Sequence, residues 1–197
     1  MTFFVRTLLV AAAGLVWIGF LGAGFGMLLS FSGTPGPAEH APAVWPLTTV
    51  PHAPDRPTLV MVLHPECSCS RASLGELSRV LARTHERPAV IVLFAVPHGL
   101  AAPDAGNPLW QRAAALPGVQ IRVDRDGGDA ARFGPVVSGT TYVYGADGRL
   151  QFSGGITVAR AHAGDNAGED AVAAILDGRQ RRIDRAPAFG CPLQEQP

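Results

Sequence analysis

Between Thr58 and Leu77 the chain reads Thr-Leu-Val-Met-Val-Leu-His-Pro-Glu-Cys-Ser-Cys-Ser-Arg-Ala-Ser-Leu-Gly-Glu-Leu, and no other stretch constrains the fold as much. Leu59 to Leu63 is an apolar run of the length of a buried strand. Cys67 and Cys69 follow, and then Leu74, Leu77 and Leu81 recur at helical spacing. A strand, a tight turn and a helix in succession set two thiols at a helix N-terminus. Unpaired backbone N–H groups and the helix dipole favour thiolate there.

The residues after this stretch alternate between strand and helix patterns. A helix is expected over 70–83, with Leu74, Leu77, Val80 and Leu81 on one face. Ala89 to Val96 is continuously apolar and reads as a central parallel strand. Residues 108–116 suit a short helix with proline in its first turn. Val119 to Val123 reads as a third strand, and 129–133 as a short helical piece after an Asp-Arg-Asp-Gly-Gly turn. Thr140 to Tyr144 and Arg149 to Ser153 form a hairpin about Ala146-Asp-Gly148, and 170–176 a last helix stopped by Gly178. Such alternation predicts an α/β fold, a central mixed sheet flanked by helices on both faces.

Ahead of this domain, Leu8 to Phe31 carries no charged side chain over 24 residues. A bilayer core of roughly 30 Å is spanned by such a length with some tilt. The run is longer than a typical signal-peptide core, which favours an uncleaved signal-anchor over a cleaved leader. Arg6 on its short side directs the N-terminus to the cytoplasm and the rest of the chain outward. The organisation expected is therefore a transmembrane helix over 1–32, a spacer over 33–57 and a folded domain over 58–197. Seven prolines between Ser32 and Pro57 suit a semi-extended spacer, with Val44, Trp45 and Leu47 as an apolar patch that can dock back. The expected location is the cell membrane, single-pass, with the soluble domain on the extracytoplasmic (periplasmic) side.

Sixteen basic and sixteen acidic residues leave no net charge, which gives no footprint for nucleic acid. Three cysteines are too few for a disulfide scaffold and suit a reactive site. Neither Ser153-Gly-Gly155 nor Asp126-Gly-Gly128 has the lysine and serine of a phosphate-binding loop. Arg179, Arg181, Arg182 and Arg185 read as a solvated tail after the last helix.

This element order, with cysteines at the first strand-to-helix turn, resembles the thioredoxin fold. Thr140-Thr-Tyr-Val-Tyr-Gly-Ala-Asp-Gly-Arg149 is similar to the hairpin of membrane-tethered thioredoxin-like proteins. Three further segments resemble signatures of the RedB-type group: His64 to Ser73, Gly154 to His162 with Gly164-Asp-Asn166, and Phe189-Gly-Cys-Pro-Leu193. The resemblance implies a thioredoxin-like domain with redox activity and a protein partner that offers a thiol or disulfide. Two features depart from the thioredoxin pattern. The usual Cys-x-x-Cys is here Cys67-Ser-Cys69, and the slot of the usual cis-proline holds Thr140, or Thr141 with a one-residue shift.

A Cys-x-Cys pair at a helix start brings the two Cα atoms to about 5.5 Å, within disulfide range. Cys67 is the candidate attacking thiol, Cys69 its partner and Cys191 a candidate additional resolving thiol. Glu66 raises the thiol pKa, whereas the helix N-terminus and Arg71 lower it. Thiol exchange requires no cofactor. The competing reading is a metal-binding or metal-delivery protein in which Cys67, Cys69 and Cys191, with His64 or His162, take copper(I) or zinc.

Overall fold

The computed structural model describes residues 2–193, and the chain divides into two compact units, Met1–Thr34 and Pro35–Pro197. The first unit is one helix, α1 (Thr2–Gly33), which is long and apolar enough to cross a membrane. Its large side chains are exposed on every side, as expected of a helix whose partner is hydrocarbon rather than a protein core.

The second unit is built on a six-stranded sheet in the order β3-β2-β1-β4-β5-β6. The strands are β1 (Thr58–Leu63), β2 (Ala89–Val96), β3 (Val119–Arg125), β4 (Thr140–Tyr144), β5 (Leu150–Gly154) and β6 (Arg185–Ala186). β1, β2 and β3 are mutually parallel, whereas β4 runs antiparallel to both β1 and β5. Helices α2 (Ser68–Arg83), α3 (Pro108–Ala114), α4 (Gly128–Phe133) and α5 (Ala167–Leu176) complete the unit. Strand order and connections give the expected thioredoxin-like α/β fold.

Alternation along β1 explains the two cores. Leu59, Met61 and Leu63 face one side, where they join residues of α2, α3 and α5 in a single cluster. Val60 and Val62 face the other, with Phe133 of α4 and with Tyr142 and Tyr144 of β4. A strand buried on both faces has no polar alternation, which is why β1 and β2 read as unbroken apolar runs.

The segment over 35–57, expected to be a spacer, lies within the second unit. Trp45 packs edge-on against Phe133 and Tyr144, with centroids 5.3 and 5.1 Å away. Its amide donates to the Gly148 carbonyl, and the Leu150 amide donates to that of Ala43. Asp129 accepts hydrogen bonds from Thr48 and from the amide of Thr49. Of the three apolar residues expected to dock, Trp45 does so, and Val44 and Leu47 stay exposed. Prolines favour an extended chain, and an extended chain can still lie along a sheet when one aromatic side chain anchors it.

Element ends differ from the sequence reading where caps decide them. α2 begins at Ser68 with Cys67 as its N-cap, so Cys69 belongs to the first turn. α5 begins at Ala167 because the Asn166 side chain accepts from the Glu169 amide at 2.9 Å. Inside the basic run read as a tail, Arg185 belongs to β6, which pairs with β5. Gly154, at φ +136°, makes that pairing possible: a methyl group there would fall 2.0 Å from the Ala186 carbonyl oxygen. Two-residue strands carry no periodic signal, and so β6 is invisible in the sequence.

The register puts the end of β1 beside the start of β4, with Val62 opposite Thr140 and the Gly139 amide donating to the Val62 carbonyl at 2.8 Å. Residues 136–139 therefore lie against the cysteine turn. Among the described residues all peptide bonds are trans, and Thr140 enters β4 behind Gly139, at φ +93°.

Candidate functional site

The turn after β1 is held by backbone and hydroxyl groups. The His64 amide donates to Ser138 Oγ at 2.8 Å, and Ser70 Oγ, which donates to the His64 carbonyl, lies 2.8 Å from Ser138 Oγ. Both serines are fully buried, and together they fix β1, α2 and the entry to β4 as one frame. The Cys67 amide donates back to the His64 carbonyl, which closes the turn and delivers Cys67 to the helix start.

Three thiols meet at this frame. Cys67, Cys69 and Cys191 have their sulfur atoms within 4.8 Å of one another, and Cys67 Sγ lies 2.8 Å from Cys191 Sγ. Cys191 arrives from the far end of the chain. Its carbonyl accepts from the Ser138 amide at 2.8 Å, and the Leu193 amide donates to the Val136 carbonyl at 3.0 Å. Val137 and Pro192 thus form an antiparallel bridge.

The three thiols titrate apart. Burial pushes Cys67 up, but the Cys191 thiol and the backbone amides of Cys191, Ser70 and Cys69 outweigh it, and its pKa falls below the usual 9.0. Burial raises Cys69, and the neighbouring Cys67 charge raises it further. Cys191 is pushed up to about 12 by burial, then by its hydrogen bond to Cys67 and the charge there. Cys67 is therefore the thiol of the three that ionises most readily, and in its ionised form it accepts from the Cys191 S–H. Glu66 and Arg71, both exposed, are not among the leading causes of these shifts, although the sequence pointed to them. The stabilising groups are instead the amides of the first helical turn and of Cys191.

The two histidines expected near the thiols lie outside the cluster. His64 Nδ1 accepts from the Glu66 amide at 3.1 Å, so the imidazole caps its own turn. Burial lowers its pKa, against an opposing pull from Glu66, and it is neutral at physiological pH. His162 is exposed, with Nδ1 at 2.6 Å from the Arg160 carbonyl. Beside the turn lies a cavity of about 570 Å³, lined by His64, His98, Asp126 and by Glu66 and Pro192, the chain neighbours of Cys67 and Cys191.

Other residues of the site carried no assignment in the sequence. Arg160 Nη1 donates to the Gly190 carbonyl, and Ala161, at φ 58°, brings its backbone beside Cys69. Glu76, fully buried, pairs with Arg79 and accepts from the Gly164 amide at 2.7 Å, which ties α2 to this loop. Arg160 and Gly190 lie inside segments picked out by the resemblance, so the motifs were visible although the roles were not. Ser138 lay in none of them.

No family model matches this chain, and no curated protein matches it. Solved structures do. An uncharacterized conserved protein from Geobacillus kaustophilus is 16% identical at a TM-score of 0.55, covering 84% of this chain and 93% of its own. A hypothetical protein from Sinorhizobium meliloti is 19% identical at a TM-score of 0.50, covering 70% and 78%. The N-terminal domain of PilB from Neisseria gonorrhoeae is 18% identical at a TM-score of 0.37, over 60% and 76%, an overlap too low to carry an argument. The narrower resemblance to the RedB-type group has no match behind it. At such identities the likeness concerns the fold, and the fold is thioredoxin-like.

Proposed function

We propose that the protein is a membrane-anchored thiol–disulfide oxidoreductase whose domain works on the extracytoplasmic side, with Cys67 as the attacking thiol. The observation that carries this reading is the geometry of the turn: Cys67 caps α2 with Cys191 Sγ 2.8 Å away and all three sulfurs within 4.8 Å, and it is Cys67 whose pKa is lowered while Cys69 and Cys191 are raised. Exchange needs a thiolate to attack and a protonated thiol held in reserve beside it. The Cys67 thiolate attacks one sulfur of a partner's disulfide. A Cys67–partner bond forms, the partner's own S–S bond breaks, and its other sulfur leaves as thiolate. A second cluster thiol, Cys69 or Cys191, then displaces the partner from Cys67. The net result is a reduced partner and an oxidised cluster, which a dithiol protein must reduce again.

A metal site is the second reading, supported by three sulfurs within 4.8 Å. Soft thiolates suit copper(I) or zinc. Two sulfurs on one zinc ion stand about 3.8 Å apart, given Zn–S bonds of about 2.3 Å in tetrahedral geometry. The Cys67–Cys191 separation of 2.8 Å is shorter and lies nearer to a disulfide. This spacing favours exchange.

The test is reduction of a model disulfide by the full chain in detergent. Cys67→Ser should lower the rate by about 100-fold or more, since no depressed thiol remains. A wild-type rate in that variant would remove the redox reading. Stoichiometric copper(I) or zinc uptake that protects all three thiols from alkylation would replace it with the metal reading.

A further inference from the structure

We propose that Cys191 is the resolving thiol, and that residues 188–193, which carry it, form a clasp that the Cys67–Cys191 disulfide locks over the site. This rests on the exchange reading above and names the bond that the exchange makes.

The segment is built to be held in place. The Gly36 amide donates to the Ala188 carbonyl, the Ser138 amide to that of Cys191, and the Leu193 amide to that of Val136. Arg160 Nη1 donates to the Gly190 carbonyl between them. Leu193 is buried in the second core and acts as an apolar anchor two residues beyond the sulfur. Gly190 lets the chain close in, since a methyl group there would fall 1.9 Å from the Ser138 carbonyl oxygen. The result is Cys191 Sγ at 2.8 Å from Cys67 Sγ, between residues 124 apart in sequence.

The second candidate for resolution, Cys69, is confined to the first turn of the same helix as its target. A disulfide across a single intervening residue closes a small, strained ring and is easily reduced. Cys191 sits on a separate segment and can adjust to the S–S torsion without unwinding α2. The resolving step is balanced within the protein and its partner. Cys191 sulfur attacks Cys67 Sγ of the mixed disulfide and loses its proton. The Cys67–Cys191 bond forms, the Cys67–partner bond breaks, and the partner leaves as thiolate to take up a proton. Two electrons pass from the Cys67–Cys191 dithiol to the partner's disulfide.

The state of the clasp follows from the bond. Once oxidised, the segment is tied covalently across the turn. In the reduced protein it is held by those hydrogen bonds and the Leu193 anchor without a covalent tie, so that local opening bares Cys67 to the next partner. A dithiol protein that reduces the Cys67–Cys191 bond resets it.

The experiment uses the full chain in detergent, reduced and then given glutathione disulfide as the probe. Products are trapped by alkylation and mapped by mass spectrometry without reductant. Wild-type protein should show the Cys67–Cys191 cross-link in about tenfold excess over Cys67–Cys69, and Cys69→Ser should retain it. Cys191→Ser should accumulate glutathione on Cys67, with its release slowed about tenfold or more. Amide hydrogen exchange at Leu193 should be about tenfold slower in the oxidised than in the reduced wild type. A dominant Cys67–Cys69 bond, or resolution that stalls in Cys69→Ser alone, overturns the assignment of Cys191 while the oxidoreductase reading stands. Equal exchange at Leu193 in both states overturns the clasp. If Cys67 takes up no glutathione in any variant, the exchange reading falls, and this inference with it.

Discussion

At the scale of single residues, the chemistry depends on which thiol ionises first. Cys67 owes its lowered pKa to the Cys191 thiol and nearby backbone amides, which outweigh its burial. A hydrogen-bond donor that is itself a thiol can be removed cleanly. The alkylation rate of Cys67 should rise with pH through a midpoint below 9.0, because the reactive species is the thiolate. In Cys191→Ala the donor is gone and burial remains, so the midpoint should move up toward the ordinary value. A profile of iodoacetamide labelling against pH, read peptide by peptide, measures both. An unchanged midpoint in Cys191→Ala would show that the amides alone hold the thiolate.

At the scale of elements, a proline-rich segment becomes part of the domain through a few specific contacts. Asp129 in α4 gathers Thr48 and Thr49, and these hydrogen bonds, against an opposing push from burial, hold its carboxyl below the usual 3.8. A depressed carboxyl contributes stability that is complete above the ordinary value and lost as pH falls through the folded-state value. Asp129→Asn should therefore cost about 1 kcal/mol at neutral pH, a figure discounted for its partial exposure. That difference should vanish in acid, where wild type and variant carry the same charge. Urea unfolding midpoints of the two proteins at neutral and acid pH provide the comparison. A gap that persisted in acid would assign the effect to shape rather than charge.

At the scale of the whole molecule, Pro35–Pro197 is a compact unit by itself, and α1 has the length and apolarity of a membrane span. A chain begun at Pro35 should be soluble and unfold cooperatively. A chain begun at Thr58 lacks Trp45 and Val50, which pack in the second core, and should lose about 3 kcal/mol or more. That is a large share of a typical stability of about 5–15 kcal/mol. Thermal unfolding of the two truncated chains compares them directly, and equal midpoints would mean that the proline-rich segment contributes nothing.

The sequence by itself determined β1 to β5, the helices and the first two cysteines. Apolar runs in β1 and β2, helical spacing in α2 and the Asp-Gly turn of the hairpin are local signals, so they survive reading along the chain. Cys67 and Cys69 fall where those signals change from strand to helix, and the thioredoxin-like order follows from the alternation. Only the tertiary structure decided what surrounds them. Cys191 meets Cys67 because backbone groups of 191–193 pair with those of 136–138, and such pairing leaves no mark in side-chain periodicity. Trp45 joins the second core for a similar reason, since proline content reports local stiffness and says nothing of what the extended chain lies against. His64 and His162 had spacing in their favour, yet both lie outside the sulfur cluster, each with its Nδ1 engaged by a nearby backbone group. Spacing along the chain bounds which groups can meet within one turn. Which distant groups meet is set by sheet register and by close backbone approaches, such as that of Gly190 to Ser138.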